Sequence, residues 1–235
     1  GVYTGDDGKV PLLECVRRAE RQLVEQPAAR NYLPIDGLAA YDKTVQSLVF
    51  GADCPALKEG RIITVQSLGG TGGLRVGADF LRRTAPNAGL WISDPSWENH
   101  RAVFESAGFK VNTYPYYDAK TRGVDFDAML GALKSMPAGD IVLLHACCHN
   151  PTGVDLSEAQ WAGVIDTIGA RGLVPFLDIA YQGFADGIDA DGIAVRLFAQ
   201  SGLPLLVANS FSKSFSLYGE RVGSLSVVAA SGDER

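Results

Sequence analysis

A lysine, several hydroxyl groups and an arginine lie close together in the segment NSFSKSFSLYGERVG, residues 209–223. The segment begins where an apolar run at 203–208 ends, and such a short run is typical of a buried strand. A lysine such as Lys213 can form a Schiff base with a carbonyl compound, or act as a base when its pKa is lowered. The guanidinium of Arg221 suits a phosphate, because it donates two parallel hydrogen bonds to one anion.

Ser210 and Lys213 also have the S-x-x-K spacing of penicillin-binding enzymes, in which the serine is acylated. Those enzymes need S-D-N and K-T-G elements as well. Neither element is present, because Ser93-Asp94 is followed by Pro95, and the two Lys-Thr pairs are followed by valine and arginine. An acyl-enzyme is therefore the weaker hypothesis for this segment.

Polar and aromatic side chains also follow earlier apolar runs. Asp178 ends the run LVPFLDI, where a carboxylate needs a cation or hydrogen-bond donors, although a helix cap would also explain it. Tyr181 follows three residues later, and Asn150 lies in HNPTG, a sequence also typical of a turn. Trp97 suits either core packing or a flat plate against a ring, and His100 lies one helical turn beyond it.

The glycine-rich stretch SLGGTGGLRVG, residues 67–77, leads from an apolar run into a helical pattern. Glycines there leave backbone N–H groups free at the positive end of a helix, which suits a phosphate. The stretch does not match the dinucleotide fingerprint, because Arg75 stands where a glycine is required. It does not match a Walker A loop either, because Ala78 follows Gly77 where lysine is required. A tight turn without a ligand explains the glycines equally well.

The elements that position these residues alternate between strand-like and helical patterns. The strand-like runs are 62–68, 90–93, 110–116, 141–146, 173–179, 203–210 and 224–229. This alternation predicts an α/β fold, with a mostly parallel sheet and helices on both faces. The N-terminal part predicts helices at 10–26 and 37–51. We divide the chain into an N-terminal helix and connecting segment, 1–36, and a large domain, 37–235.

Ligands of such sheets bind beyond the carboxyl ends of the strands, where all the polar segments above are expected to meet. One cofactor, pyridoxal 5'-phosphate, accounts for the whole set. It needs a lysine for a Schiff base, an acid at its ring nitrogen, donors to its phenolic oxygen, a phosphate cup and a plate against its ring. Lys213 is the candidate for the Schiff base and Asp178 for the acid at the ring nitrogen. Tyr181 and Asn150 are candidate donors to the phenolic oxygen, and Trp97 is the candidate plate. The candidates for the phosphate cup are Gly70, Thr71, Ser210 and Arg221.

Composition narrows the class of protein. A net charge of -6 argues against nucleic acid as a partner. No apolar run approaches the roughly 20 residues of a membrane helix and no signal-peptide pattern is present, so we expect a cytoplasmic protein without a membrane partner. The adjacent pair Cys147-Cys148, near His145 and His149, lacks the ligand spacing of zinc sites, so we expect no metal.

Five motifs carry a family resemblance: NSFSKSFSLYGERVG, CCHNPTG, DIAYQGF, SLGGTGGLRVGADFL and DPSWENH. Together they resemble the pyridoxal-phosphate-dependent class I aminotransferases of the aspartate/aromatic group. NYLPIDGL and SFSKSFSLYGERVG are most similar to the bacterial aromatic-amino-acid (tyrosine) branch. Gly69 departs from the pattern, because many relatives have serine there.

The resemblance implies transfer of an amino group from an aromatic or dicarboxylic amino acid to a 2-oxo acid. The alternatives are an aspartate aminotransferase, another enzyme of the same cofactor such as a lyase, and a binding-only relative, against which the complete set of lysine, aspartate and arginine argues. By the resemblance, Lys213 carries the Schiff base and then shuttles a proton. Asp178 keeps the pyridine nitrogen protonated, and His100 and His145 support it.

The resemblance also concerns the assembly. Tyr32 is similar to the family tyrosine that reaches the phosphate of the neighbouring subunit, which implies a homodimer. The arginine that binds the substrate carboxylate is expected beyond Arg235, in a C-terminal small domain missing from this sequence. We also expect cis peptide bonds before Pro95 and Pro151, since both prolines lie in sharp turns and the resemblance supports both.

Overall fold

The computed structural model describes residues 1–232. The strands are β1 (Ile62–Leu68), β2 (Leu90–Asp94), β3 (Val111–Pro115), β4 (Tyr117–Asp118), β5 (Gly123–Val124), β6 (Ile141–His145), β7 (Val174–Ile179), β8 (Leu205–Ser210) and β9 (Val222–Val228). The helices are α1 (Glu14–Glu25), α2 (Ala39–Phe50), α3 (Pro55–Lys58), α4 (Gly69–Thr84), α5 (Glu98–Ser106), α6 (Phe126–Ser135), α7 (Glu158–Arg171), α8 (Ile188–Asp191) and α9 (Ile193–Gln200).

Seven strands form one sheet in the order β1-β9-β8-β7-β6-β2-β3. The strand β9 is antiparallel to both of its neighbours, and every other neighbouring pair is parallel. The prediction of a mostly parallel sheet is therefore confirmed. The central strands β6, β7 and β8 are buried along almost their whole length, as expected for apolar runs covered on both faces.

Helices cover both faces of this sheet, as predicted. One face packs against α4 and α5 through side chains such as Leu74 and Phe104, which join Phe176 of β7 in one apolar cluster. The other face packs against α2, α6, α7 and α9, with Val45 and Phe198 in a larger cluster. No helix among residues 1–232 is long and apolar enough to cross a membrane.

The N-terminal helix α1 begins four residues later than the sequence predicts. The backbone is extended at Leu13, with ψ 136°, and Pro11 biases the residue before it toward extended backbone. The helix has no buried residue, and its Leu23 and Val24 are exposed. The boundary at 36/37 stays a prediction.

Two sharp turns follow the carboxyl ends of β2 and β6. The peptide bonds Asp94-Pro95 and Asn150-Pro151 are both cis, as expected from the sequence. These turns carry Trp97 and Asn150 to the same edge of the sheet, where Asp178 and the segment after β8 also lie.

Helix α4 lies unusually close to the sheet at Gly73. A Cβ atom at this position would lie 2.6 Å from the carbonyl oxygen of Ser224 in β9. Ser224 is in a strand paired on both sides, so its backbone has little freedom to move away. The glycine therefore sets the distance between helix and sheet at the amino end of α4.

We predict that Gly73→Ala lowers the free energy of unfolding by about 1–3 kcal/mol, the usual cost of overpacking a core. Gly131→Ala is the matched control, because Gly131 is an exposed helical glycine in α6 with no atom within 4 Å of an added Cβ. That change should raise stability by roughly 0.5–1 kcal/mol. Urea unfolding of both variants measures the difference, and equal stabilities would contradict the close packing.

Candidate active site

A cavity of about 270 Å³ opens at the carboxyl ends of β6, β7 and β8. Ten of the residues that the sequence analysis singles out line it: Gly70, Thr71, Trp97, His145, Asn150, Asp178, Tyr181, Ser210, Lys213 and Arg221. His100 is buried behind Asp178, which itself lines the cavity. Tyr32 is fully exposed and does not line it. The carboxyl ends of the strands thus bring together residues from five separate segments.

Lys213 lies in the turns that follow β8, and its side chain is half-buried. Its Nζ atom is 4.9 Å from the centroid of the Tyr181 ring. Burial lowers the pKa of Lys213, Asp178 raises it, and Arg221 lowers it further, with a net shift downward. The uncharged amine, which is both nucleophile and base, is therefore more populated than that of an exposed lysine.

Asp178 is the negative charge of the cavity. It is next to last in β7 and only 5% exposed, and its Oδ2 lies 2.8 Å from His100 Nε2. The other ring nitrogen of His100 contacts the Ser96 hydroxyl at 3.0 Å, which fixes the orientation of the ring. No lysine or arginine within residues 1–232 forms an ion pair with Asp178. A buried carboxylate with spare acceptor capacity suits a cationic ring nitrogen.

Three histidine rings pack against one another at tilted angles, and one of them, His145, lines the cavity. His100 and His145 have ring centroids 4.7 Å apart, and His145 and His149 are 4.3 Å apart. Burial, followed by the charges of His100 and His149, holds the pKa of His145 well below its usual range. His145 lies opposite Asp178 in the β6–β7 register, but its buried Nε2 has no hydrogen-bond partner in the described chain. Within the described residues, His145 therefore supports Asp178 by no hydrogen bond from this nitrogen.

His149 completes this histidine cluster, although its sequence context suggested only a rejected metal ligand. Its Nε2 lies 2.9 Å from the Ser93 hydroxyl and its Nδ1 lies 2.8 Å from the Thr152 hydroxyl. The Tyr116 ring stacks on it with a centroid distance of 3.9 Å. Burial, and next the charge of His100, lower the pKa of His149 to about 4. His149 is therefore uncharged at neutral pH.

An anion site lies across the cavity at the N-terminus of α4. No side chain caps this helix, so the first N–H groups, including those of Gly70 and Thr71, are available to a ligand. Ser210 and Ser212 line the same part of the wall with Arg221, whose guanidinium forms no ion pair with any carboxylate in residues 1–232. Helix end, hydroxyls and unpaired guanidinium together suit a phosphate.

Gly69, the departure from the family pattern, lies against this anion site. Its φ of +68° favours glycine, and a Cβ atom there would lie 2.6 Å from Nη2 of Arg221. A serine at this position would therefore displace the guanidinium from its present place. The absence of a side chain at Gly69 is what allows Arg221 to approach the backbone this closely.

The remaining wall supplies hydrogen-bond donors and an aromatic surface. Burial and, to a lesser degree, the charge of Asp178 raise the pKa of Tyr181. The phenol therefore stays protonated and can donate a hydrogen bond. Asn150 offers an amide, and Trp97 lines the cavity while its ring meets His100 edge to face at 5.3 Å. Pyridoxal phosphate needs an amine, a carboxylate, donors, a plate and a phosphate cradle, and the residues present fit it.

Four further residues, Gly1, Asn99, Cys147 and Tyr218, line the cavity although the sequence predicted no role for them there. The backbone N–H of Tyr3 donates to the Tyr218 hydroxyl at 2.9 Å, a contact across 215 positions that no local pattern can predict. Ser212 could have been found, because it lies inside the segment that contains Lys213.

Comparison with known proteins gives a consistent result. A family model described as aminotransferase class I and II matches residues 1–233. The chain is 59% identical to an aspartate aminotransferase of Pseudomonas aeruginosa over 234 residues, covering all of this chain and 59% of that protein. It is 57% identical to an aromatic-amino-acid aminotransferase of Escherichia coli over 229 residues, covering 97% of this chain and 58% of that protein.

A solved structure agrees with these sequence matches. The crystal structure of an aromatic-amino-acid aminotransferase from Burkholderia pseudomallei, covalently bound to pyridoxal phosphate, superposes with a TM-score of 0.98 at 63% identity. The match covers all of this chain and 59% of that one. The chain belongs to the class I and II aminotransferase family, as the resemblance predicts. It spans about three fifths of the length of these relatives.

The histidine cluster gives a testable pH dependence. With a pKa of about 4 in the folded protein and about 6.5 when unfolded, His149 binds fewer protons in the folded state. Stability therefore falls as the pH decreases from about 6.5 to about 4. We predict that His149→Gln reduces the loss of unfolding free energy between pH 7 and pH 4.5 by about 2–3 kcal/mol. Urea unfolding at both pH values measures this, and an unchanged loss would contradict it.

Proposed function

We propose that this chain is the cofactor-binding part of a pyridoxal-phosphate-dependent aminotransferase that moves an amino group from an amino acid to a 2-oxo acid. One observation carries the proposal: the Lys213 amine and the Asp178 carboxylate line one cavity that ends in an anion site. The cofactor supplies an electron sink for the reacting carbon when it is bound. The printed names of the relatives support the same reaction class.

Lys213 is the residue that reacts. Its Nζ atom would hold the cofactor covalently and, once free, would accept the proton from the substrate Cα and pass it on. Both roles need the uncharged amine, so the lowered pKa favours them. The Tyr181 ring, 4.9 Å from Nζ, limits where this amine can move.

Asp178 and Arg221 would hold the two ends of the cofactor. Asp178 would keep a proton on the ring nitrogen, and the bond from His100 orients its carboxylate. Arg221, the helix end and the serine hydroxyls would bind the phosphate. Tyr181 and Asn150 would donate to the phenolic oxygen, and Trp97 would lie against the ring.

The substrate class is an aromatic or a dicarboxylic amino acid, and the relatives include both kinds. We favour aromatic substrates because the motifs are most similar to that branch. The ratio of kcat/KM for tyrosine to that for aspartate decides between the two. Transfer of the amino group to an added 2-oxo acid, without release of ammonia, separates either one from a lyase.

We further propose a cytoplasmic homodimer. Fully exposed Tyr32 and the unburied helix α1 offer surface to a second copy, and Tyr32 then reaches the partner's phosphate site. We also propose that residues 1–36 are an N-terminal helix and connecting segment and that residues 37–235 belong to the cofactor-binding large domain. Sedimentation of the full-length protein checks the oligomeric state.

We predict that Lys213→Ala and Lys213→Arg in the full-length protein each reduce transamination by at least about 1,000-fold, since anchor and base are lost together. The arginine variant keeps the charge but has no free amine near neutral pH. Borohydride treatment of the parent should attach the cofactor to the peptide that contains Lys213. Lys58→Ala, at an exposed lysine of α3, is the control. Activity of either Lys213 variant within tenfold of the parent would contradict the assignment.

We predict that Asp178→Ala lowers kcat by at least about 100-fold while cofactor affinity changes much less, because the carboxylate stabilises charge that develops during the reaction. Asp140→Asn is the matched control. Asp140 is also buried, but it accepts bonds from Gly89 N and Trp91 Nε1 away from the cavity. That variant should lose stability without a selective loss of kcat. Weaker cofactor binding with an unchanged kcat for Asp178→Ala would contradict this role.

A further inference from the structure

Two thiols and a carboxylate converge beside the cavity, in a group that the transamination chemistry does not use. The Sγ atoms of Cys147 and Cys148 and a carboxylate oxygen of Asp191 all lie within 4.8 Å of one another. Cys147 and Asp191 are buried, and Cys148 is half-buried, which gives the group an opening to solvent. This arrangement cannot be recognised from the sequence, because Asp191 is more than 40 positions away from the cysteines.

The backbone around the group is held in place. The N–H groups of Cys148 and His149 donate to the Asp155 carboxylate at 2.6 and 2.8 Å, and Cys148 has a φ of +49°. The Asp191 carboxylate accepts bonds from the N–H groups of Gly183, Ala185 and Asp186 at 2.7–3.1 Å. Ligands oriented by such surrounding hydrogen bonds are typical of metal sites.

The charges of the group favour a cation. No lysine or arginine among residues 1–232 forms an ion pair with Asp191 or Asp155, so no cationic side chain takes the place of a metal ion beside the two thiols.

We propose that Cys147, Cys148 and Asp191 bind one thiophilic divalent cation, of the zinc or cadmium class, with water as the fourth ligand. Tetrahedral zinc with sulfur at about 2.3 Å and oxygen at about 2.1 Å places its ligand atoms roughly 3.6–3.8 Å apart. The three ligand atoms now lie within 4.8 Å of one another, so binding requires the half-buried Cys148 side chain to move closer. Each metal–sulfur bond replaces an S–H bond, whose proton passes to the buffer.

The site is separate from the proposed reaction, although it adjoins the same cavity. Cys147 lines the cavity, and the Cys148 thiol donates to the carbonyl oxygen of Tyr181 at 3.8 Å. A cation held there lies beside the proposed cofactor pocket. Cation binding requires neither Lys213 nor the cofactor, so its test does not depend on the proposed function.

Cadmium is the probe, because a cadmium–thiolate bond absorbs in the ultraviolet. The full chain, reduced and freed of metal, should bind one cadmium per chain with this absorption. Cys148→Ser should lower the affinity by more than the roughly 100-fold that the loss of a supporting hydrogen bond costs, and should halve the absorbance at saturation. Cys15→Ser, at an exposed cysteine outside the group, should leave both unchanged.

Asp191→Asn tests the oxygen ligand, with circular dichroism as the check on folding. It should weaken cadmium binding while the thiolate absorption at saturation stays the same. The proposal is overturned if the parent shows no thiolate absorption at one equivalent of cadmium, or if Cys148→Ser binds as tightly as the parent. It is equally overturned if Cys15→Ser removes the absorption.

Discussion

A carboxylate buried at the end of a central strand is the constraint on which the rest of the site depends. Asp178 is 5% exposed, and a charge buried there is costly unless donors or a cation compensate it. The chain supplies one donor, His100, at 2.8 Å, and the cavity beside it leaves room for a cationic ring. The sheet register places Asp178 between His145 and Ala208 at the cavity end of β7.

The opposite end of the cavity carries the opposite charge. The uncapped N-terminus of α4 and the guanidinium of Arg221, which forms no ion pair within residues 1–232, lie there and suit an anion. The antiparallel pairing of β9 with β1 forms this end of the cavity. Pairing of Leu68 with Val222 puts Arg221 next to Gly69. A ligand that is cationic at one end and anionic at the other is therefore oriented before any reaction begins.

Lys213 lies between these two charges, and its reactivity follows from that position. Burial favours the uncharged amine, Arg221 acts in the same direction, and Asp178 acts against both. The uncharged histidines behind Asp178 add no positive charge that would compete with the ring nitrogen, because burial keeps the pKa of His145 and His149 low. The fold thus tunes one lysine through the arrangement of charges around it.

The sequence by itself predicted the strands of the large sheet and which side chains follow their ends. Continuous apolar runs identify buried strands such as β7 and β8, and the residues that follow them identify the cavity, because parallel strands end at one edge. Only the tertiary structure decided the strand order, the antiparallel direction of β9, the packing of His149 against His145 and the approach of Asp191 to Cys147 and Cys148. Periodicity and turn signals report on neighbours along the chain. Strand pairing and side-chain convergence depend instead on packing between segments far apart in sequence, which a local pattern does not contain.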